Sequence, residues 1–213
     1  MRILLAGDST VAACPPHEAP MSGWGAHLAT FTPGVVVHNF AKGGATTASL
    51  RADGLWDALL WEAAAGDVVL LQFGHNDQKQ PEVLGASAGY TANLTRMLTE
   101  VREAGAAPVL CTSVQRRRFA GGAVAATHGD YPDAVRDLAA AQRVPLIDLT
   151  AATTELYESL GEQGSMSLFT RFGPGEHPNY PDGIADDTHF NVTGATAVAR
   201  IVADALAPVL AAA

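Results

Sequence analysis

The chain has 213 residues, of which 48% are hydrophobic and 16% are charged, with a formal net charge of −9 at pH 7. These values predict a single soluble globular domain that spans residues 1–213. The acidic balance argues against nucleic-acid binding, which needs a basic surface, and against binding to anionic membranes.

Apolar, β-branched runs alternate with helical patterns along the chain. The predicted strands are Arg2–Ala6, Val35–Asn39, Val68–Phe73, Pro108–Ser113 and Pro145–Leu149. The predicted helices are Gly25–Phe31, Leu55–Ala65, Thr91–Ala104, Asp130–Gln142, Ala151–Leu160 and Val192–Leu210. The strands are apolar on both faces, as in parallel sheets covered on each side. The alternation therefore predicts an α/β three-layer sandwich, a flavodoxin-like parallel sheet of about five strands with helices on both faces.

The N-terminus does not have the pattern of a secretory signal. Arg2 is followed only by the apolar run Ile3–Ala6 before Asp8, which is shorter than the roughly 7–15 apolar residues of such a signal. No segment approaches the roughly 20 apolar residues of a membrane span. We therefore expect a cytoplasmic protein, or a secreted one if a leader has been removed.

Two cysteines, Cys14 and Cys111, are too few for a disulfide framework. Two unreactive or buried thiols are favoured, and a single bridge between them stays open. The oligomeric state also stays open.

Two long stretches, Gln115–His128 and Gln163–Asp187, match neither a helix nor a strand pattern. Loops of this length in a domain are typically lids or binding loops. Both are expected at the carboxyl edge of the sheet, where they would form the walls of a site.

The first strand runs directly into Gly7-Asp8-Ser9. A serine in this position lies at the carboxyl edge of a parallel sheet, where α/β proteins place their chemistry. Its alternative role is a simple helix cap. A competing serine, Ser87, satisfies the pattern G-x-S-x-G, but a polar loop precedes it where that motif needs a strand. Ser9 is therefore the preferred candidate nucleophile.

His189 stands just before the final helix, three residues after Asp186. A carboxylate at this spacing can hold the imidazole in one tautomer while the imidazole acts as base toward a serine. Asp187 competes with Asp186 for this role. Asp186 is preferred because a two-residue turn gives its carboxylate room to fold back.

Acyl transfer also needs hydrogen-bond donors for the developing oxyanion. Gly44 follows the second strand, and a glycine lets its backbone N–H approach a substrate closely. Asn76 follows the third strand and could present its side-chain amide to the same oxygen. The alternatives are an ordinary turn at Gly44 and an Asx-turn at Asn76.

The chain resembles the GDSL/SGNH hydrolase family in four ordered blocks, which are Gly7-Asp8-Ser9, Gly44 within Asn39–Thr46, Asn76 within Gly74-His75-Asn76-Asp77, and Asp186-x-x-His189. The resemblance implies Ser9 as nucleophile and His189 as base, oriented by Asp186. It also implies an oxyanion hole made by the backbone N–H groups of Ser9 and Gly44 with the side chain of Asn76. The implied fold is again the three-layer α/β sandwich, and the mechanism requires no metal or organic cofactor.

Within this family the chain looks most similar to the rhamnogalacturonan acetylesterase-like branch. The residues that carry this likeness are Gly7–Val11, Gly23–Gly25, Phe73–Asp77 and Asp187–Phe190. One departure is Ala41–Ala45, where that branch often carries Gly-Arg-Ser. The resemblance implies a serine esterase that removes O-acetyl groups from plant oligosaccharides, with an acetylated oligosaccharide as partner and neither nucleic acid nor membrane.

Two features are candidates for contact with a sugar. Trp24 could stack on a sugar ring, although it could equally be a core residue. Arg117, in the run Arg116–Arg118 after the fourth strand, could bind uronate carboxylates, which arginine holds in a bidentate manner. A solvated charged face is the alternative for this run.

Other functions remain in competition with this one. An acetyl-xylo-oligosaccharide esterase or a short-chain lipase- or thioesterase-like enzyme would use the same catalytic residues. A metallohydrolase would use His75, Asp77, Asp186, Asp187 and His189, which lack a recognised ligand spacing. A binding module of flavodoxin-like fold is also open, because fold does not dictate function.

Overall fold

Strand β1 (Arg2–Gly7) lies inside the main sheet and is buried from its second residue onward. Side chains alternate along it, so that Ile3 and Leu5 enter one hydrophobic cluster while Leu4 and Ala6 enter another on the opposite face. This double-sided burial explains why the strand is apolar at successive positions.

The strands that follow β1 are β2 (Val36–Asn39), β3 (Val68–Gln72), β4 (Ala107–Cys111), β5 (Phe119–Ala120), β6 (Ala123–Val124) and β7 (Leu146–Ile147). Together with β1, four of them form the main sheet, which is parallel and has the order β2-β1-β3-β4-β7. Strands β5 and β6 form a short antiparallel pair outside this sheet. Because the chain leaves β1 in one direction to β2 and then returns to β3 on the other side, a crevice opens between the ends of β1 and β3.

Helices cover both faces of this sheet in the computed structural model, which describes residues 1–212. The α-helices are α1 (Ser49–Ala52), α2 (Leu55–Glu62), α3 (Pro81–Leu84), α4 (Thr91–Glu103), α5 (Tyr131–Gln142), α6 (Leu149–Gly164) and α7 (Val192–Ala212). Helices α2, α4 and α5 pack in the cluster of Leu4, and helices α6 and α7 pack in the cluster of Ile3. The predicted fold class, an α/β sandwich on a five-stranded parallel sheet, is confirmed.

The predicted helix Gly25–Phe31 is wrong in type. The segment forms two short 3-10 turns, Trp24–Ala26 and Leu28–Phe31. A Cβ at Gly25 would come within 2.5 Å of the carbonyl oxygen of Val11, so this segment lies directly on the backbone that follows β1. A larger residue would collide at this close approach, so position 25 needs a glycine. The contact also packs the segment against the chain that follows Ser9.

A second antiparallel pair, β8 (Phe169–Phe172) and β9 (Ile184–Phe190), forms where the sequence predicted the irregular stretch Gln163–Asp187, and β9 continues beyond that stretch. Arg171 pairs with Ala185 and Phe169 pairs with Phe190, so two steps along β8 match five steps along β9. The three additional residues of β9 bulge out of the pairing. Residues 186–189 belong to this bulge.

The expectation that no segment approaches the length and hydrophobicity of a membrane span is wrong for helix α7. By length and composition alone, Val192–Ala211 is long and apolar enough to cross a membrane. Its side chains Val198, Val202 and Leu206 are fully buried in the core. The apolar stripe is therefore used for packing against the sheet. Asn191 begins the helix, because its Oδ1 accepts a hydrogen bond from the backbone N–H of Gly194 at 3.1 Å.

The two cysteines are free thiols. Cys111 is buried on β4, and burial raises the pKa of its thiol. Cys14 is half-buried, and burial also raises the pKa of its thiol. The bridge that the sequence left open is not formed.

Candidate active site

Ser9 follows β1 at the crevice between the ends of β1 and β3. The turn that presents it is closed by backbone hydrogen bonds from Val11 and Ala12 to the carbonyl oxygen of Asp8. Gly7 is required just before this turn, since a Cβ there would lie 2.5 Å from the side chain of Val11 and 2.8 Å from a carbonyl oxygen of β3. The glycine of Gly-Asp-Ser therefore lets the end of strand β1 pack closely against Val11 and strand β3.

The structure brings Ser9 and His189 together from opposite ends of the chain. Ser9 Oγ lies 3.0 Å from His189 Nε2, and His189 Nδ1 lies 2.7 Å from Asp186 Oδ2. With Nδ1–H donating to the carboxylate, Nε2 is left to accept the serine proton. The three side chains form a continuous hydrogen-bonded relay.

Asp186 is held in place by its own local backbone. Its Oδ1 accepts hydrogen bonds from the N–H of Thr188 at 2.6 Å and from the N–H of His189 at 2.8 Å. Burial alone would raise the pKa of Asp186, but the hydrogen bonds from the side chain and backbone of His189 more than offset it, so the pKa lies below its ordinary value. The carboxylate stays charged, as the orienting role requires.

The turn expected between Asp186 and His189 takes a form that the sequence did not predict. The two residues lie in the bulge of β9. In a regular strand, residues three apart point to opposite faces. The bulge allows both side chains to meet.

Asp187, the competing carboxylate, has other partners. Its Oδ1 accepts hydrogen bonds from Arg117 Nη1 at 3.0 Å and from Arg171 Nη1 at 2.6 Å. The backbone carbonyl of Asp187 also accepts the N–H of Arg117. Asp187 therefore anchors the outside of the bulge while Asp186 faces the imidazole.

The two further candidates for oxyanion binding, Gly44 and Asn76, line the same cleft as Ser9. Gly44 has φ +75°, and a Cβ there would meet no described protein atom within 4 Å. The glycine is thus explained by its left-handed backbone. Asn76 Nδ2 donates one hydrogen bond to the carbonyl oxygen of Ala45 at 3.0 Å, which leaves its second hydrogen for another acceptor.

A cleft of about 460 Å³ contains these groups. Most of its lining residues have polar side chains, and the lining consists of Ser9, Glu18, Met21, Gly43, Gly44, Asn76, Lys79, Tyr180, Asp186 and His189. One wall joins segments that are far apart in sequence. Asn179 Nδ2 donates hydrogen bonds to the carbonyl oxygens of Pro16 at 3.0 Å and Ala19 at 2.8 Å, and the Tyr180 hydroxyl donates to the carbonyl oxygen of Glu18.

Only one of the two long stretches predicted to form the walls of the site lines this cleft. Tyr180 lies within the predicted stretch Gln163–Asp187, but the other stretch, Gln115–His128, does not line this cleft. It contributes instead to a neighbouring cavity of about 330 Å³, which also touches Asp187 and Thr188. The two cavities lie on either side of the bulge that carries His189.

Trp24 is not a sugar-stacking residue. It is 0% exposed, lies in the core, and its Nε1 donates a hydrogen bond to Gln72 Oε1 at 2.7 Å. The prediction rested on its short distance from Ser9 in the sequence, but the chain turns inward after the nucleophile and packs this ring beneath the sheet edge.

Arg117 is also unavailable to a substrate. It is 6% exposed, and its guanidinium binds Asp187, the hydroxyl of Ser165 and the carbonyl oxygen of Glu162. Arg116 is half-buried and donates to the carbonyl oxygens of Thr127 and His75. Arg118 is the exposed member of the run.

The competing serine lies outside the cleft, and the candidate metal ligands do not converge on one point. Ser87 is exposed in a π-helical turn (Ala86–Tyr90) that follows a short helix, so it has no preceding strand. Asp77 accepts hydrogen bonds from the N–H and hydroxyl of Thr47. Within residues 1–212, the side chains of His, Cys, Asp and Glu form no group of three placed to hold a metal ion.

A buried contact lies directly behind the nucleophile. Asp8 Oδ1 accepts hydrogen bonds from the N–H and hydroxyl of Thr10, and its Oδ2 lies 3.4 Å from His75 Nδ1. Burial alone would raise the pKa of Asp8, but the His75 imidazole and the Thr10 hydrogen bonds hold it below the ordinary value. This contact ties the loop of Ser9 to the loop of Asn76.

Sequence reasoning did not name five residues of the cleft, which are Glu18, Met21, Gly43, Lys79 and Tyr180, although Tyr180 lies in a stretch predicted to form a wall. For Lys79 a signal existed, since it stands three residues after Asn76 and one turn brings such positions together. Gly43 directly precedes the predicted Gly44, whereas Glu18 and Met21 depend on tertiary contacts between distant segments and leave no local pattern.

Comparisons with known proteins identify the family of the chain. Residues 5–197 match the model of the GDSL-like lipase/acylhydrolase family. A rhamnogalacturonan acetylesterase of Bacillus subtilis is 50% identical over 208 residues, which is 97% of this chain and 89% of that protein. The crystal structure of YxiM from Bacillus subtilis superposes with a TM-score of 0.82 at 27% identity and covers 97% of this chain and 56% of that one.

A more distant solved structure supports the fold alone. It is an acetylxylan esterase from Geobacillus stearothermophilus, with a TM-score of 0.66 at 17% identity, covering 96% of this chain and 93% of that chain. The family model spans all four sequence blocks from Ser9 to His189. The chain therefore belongs to the GDSL-like lipase/acylhydrolase family.

Proposed function

We propose that this protein is a serine esterase that removes O-acetyl groups from plant cell-wall oligosaccharides of the rhamnogalacturonan type. The observation that carries the proposal is the relay from Ser9 through His189 to Asp186, at the floor of a cleft that also holds Gly44 and Asn76. The substrate assignment rests on the 50% identity to a rhamnogalacturonan acetylesterase over nearly the whole chain.

The geometry supports a two-step acyl transfer. His189 Nε2 takes the proton of Ser9 as Oγ attacks the acetyl carbonyl carbon, and Asp186 stabilises the imidazolium that forms. The negative charge on the carbonyl oxygen is met by the backbone N–H groups of Ser9 and Gly44 and by Asn76 Nδ2. The C–O bond to the sugar then breaks, and the sugar oxygen leaves with the proton from the imidazolium.

The second step uses the same groups in reverse order. Water is deprotonated by His189 and attacks the acetyl-enzyme carbonyl. The tetrahedral intermediate collapses to acetate, and Ser9 recovers its proton from the imidazolium.

The side chains that line the cleft favour a sugar ester over a lipid. Its lining includes two carboxylates, a lysine and a tyrosine, with Met21 as its long apolar side chain. A lipase or thioesterase site would bury a long acyl chain among apolar side chains. A short acyl group on a hydrophilic alcohol fits these walls better.

The test is acetate release from a panel of acetylated rhamnogalacturonan, homogalacturonan and xylo-oligosaccharides. We expect the wild type to act best on rhamnogalacturonan, and Ser9→Ala and His189→Ala to lose activity while keeping the unfolding temperature. Wild-type activity in Ser9→Ala would remove Ser9 from the mechanism. Preference for xylo-oligosaccharides would replace the substrate assignment by that of an acetyl-xylo-oligosaccharide esterase, and fading activity beyond short nitrophenyl esters would separate both from a lipase.

A further inference from the structure

Lys79 lies in the cleft beside Asn76, in a position that the mechanism above does not use. A 3-10 turn (Asp77–Lys79) follows Asn76, with the backbone N–H of Lys79 bonded to the carbonyl oxygen of Asn76 at 3.1 Å. The side chain folds back along this turn, and Lys79 Nζ donates a hydrogen bond to Asn76 Oδ1 at 2.9 Å. The ammonium group therefore binds the oxygen end of the amide, whose nitrogen end donates one hydrogen to Ala45 and has a second hydrogen for another acceptor.

We propose that Lys79 is a positioning residue that orients and polarises the Asn76 amide for oxyanion stabilisation, and this inference rests on the proposed function. An asparagine side chain can present either its oxygen or its nitrogen after a rotation of about 180°. Only the nitrogen end stabilises a negative oxygen. Something in the structure must select it.

Two contacts at opposite ends of the amide make this selection. Asn76 Nδ2 donates to the carbonyl oxygen of Ala45, and Asn76 Oδ1 accepts from Lys79. In the rotated amide, two oxygens would face each other at Ala45, and the NH₂ group would face the ammonium at Lys79. Both new contacts are repulsive, so the rotated state is disfavoured at each end.

The charge of Lys79 has a second effect. A hydrogen bond from a cation to the amide oxygen is stronger than one from a neutral donor. It draws electron density from the amide nitrogen and makes the remaining N–H a better donor. Glu18 and Asp186, the acidic side chains of the lining, would oppose a developing oxyanion, and Lys79 supplies the opposite sign of charge near it.

The test uses p-nitrophenyl acetate, a neutral ester without a sugar, and four variants: Lys79→Met, Asn76→Ala, the double variant and Lys42→Met. Lys42 is the matched control, because its ammonium pairs with Asp53 at 2.7 Å and does not line the cleft. We expect Lys79→Met to lower kcat about tenfold with KM within about twofold, less than the roughly 100-fold or greater loss on removing an oxyanion donor outright. Lys42→Met should match the wild type.

The double variant distinguishes action through Asn76 from direct action on the substrate. In the Asn76→Ala background, Lys79→Met should change kcat by less than about twofold, because the group through which it acts is already absent. Equal losses in both backgrounds, or wild-type kcat in Lys79→Met, overturn the inference. So does a loss confined to galacturonate-containing acetyl esters, which would make Lys79 a carboxylate-binding residue.

These outcomes are separate from a failure of the proposed function. If the wild type hydrolyses no acetyl ester, the esterase assignment itself is wrong. If the wild type is active and depends on Ser9 but not on Lys79, only the inference about Lys79 is lost.

Discussion

Asp186 and Asp187 are adjacent in sequence, but their carboxylates bind different partners. Asp186 accepts a hydrogen bond from His189 Nδ1, whereas Asp187 accepts hydrogen bonds from two guanidinium groups on the other side of the strand. The sequence favours Asp186 by its spacing from the histidine, but it does not show where the carboxylate of Asp187 binds. The bulge in β9 determines which one faces the site.

This pair provides a matched test of the orienting role. We expect Asp186→Asn to lower kcat about 10³- to 10⁴-fold, since the imidazole loses the acceptor that fixes its tautomer. Asp187→Asn should keep kcat within about tenfold and instead lower the free energy of unfolding by about 1–3 kcal/mol, because the buried guanidinium of Arg117 loses its charged partner. Steady-state rates on p-nitrophenyl acetate and urea unfolding measure both. A larger loss of kcat in Asp187→Asn than in Asp186→Asn would assign the orienting role to Asp187.

Gly44 and Gly54 form a second matched pair. Both have φ +75°, and a Cβ at either would meet no described atom within 4 Å. Alanine at either position should therefore cost a similar amount of stability, about 1–2 kcal/mol, through backbone strain. Only Gly44→Ala should lower kcat, because Gly54 begins helix α2 outside the cleft lining. Equal kcat in the two variants would argue against an oxyanion contact at Gly44.

Tyr180 and Trp24 test where an oligosaccharide is bound. We expect Tyr180→Ala to raise KM for acetylated oligosaccharides about tenfold while leaving p-nitrophenyl acetate unaffected, since the ring forms a wall beyond the acetyl site. Trp24→Phe should leave both KM values unchanged and destabilise the fold by about 1–3 kcal/mol, because buried Gln72 Oε1 loses its donor. A changed KM in Trp24→Phe would contradict its position in the core.

Asp67 links stability to pH. It accepts hydrogen bonds from the backbone N–H of Arg2 at 2.7 Å and from Arg2 Nη2 at 2.6 Å, which anchors the start of β1. Burial alone would raise the pKa of Asp67, but the hydrogen bonds from Arg2 lower it below the ordinary value of 3.8. A lowered carboxyl pKa stabilises the fold above pH 3.8, and this contribution is lost as the pH falls through the folded-state pKa.

We therefore expect Asp67→Asn to lower the free energy of unfolding by about 1–3 kcal/mol at neutral pH. The difference from wild type should shrink as the pH falls below 3.8. Asp137→Asn, at an exposed position on α5, should stay within about 0.5 kcal/mol of wild type throughout. A difference for Asp67→Asn that is independent of pH would contradict the linkage.

The sequence predicts the main sheet well because its strands obey one rule. Strands such as Val68–Gln72 are buried on both faces, so their apolar runs stand out against the polar connections. The serine, histidine and asparagine candidates follow from their places at strand ends and beside the last helix. These features are local and depend little on the rest of the fold.

The β8–β9 hairpin is harder to predict because its strand Ile184–Phe190 carries the polar residues of the site. Asp186, Asp187 and His189 break the alternation by which a strand is recognised, and the bulge removes the remaining period. Trp24 shows the opposite error, because it was predicted as a possible site residue and lies in the core. Its nearness to Ser9 in the sequence said nothing about the side of the sheet into which its ring would turn.

The wall of the cleft joins segments that are synthesised early and late. All five parallel strands are present once residue 147 has been added, but the proposed base lies at residue 189, on a hairpin whose connecting loop is hydrogen-bonded to residues 16–19. A nascent chain can therefore contain every strand of the main sheet before it contains all the proposed catalytic residues. If His189 is the base, activity requires the late hairpin to reach Ser9 and residues 16–19, so the appearance of enzymatic activity during refolding would report this late contact and not the formation of the sheet.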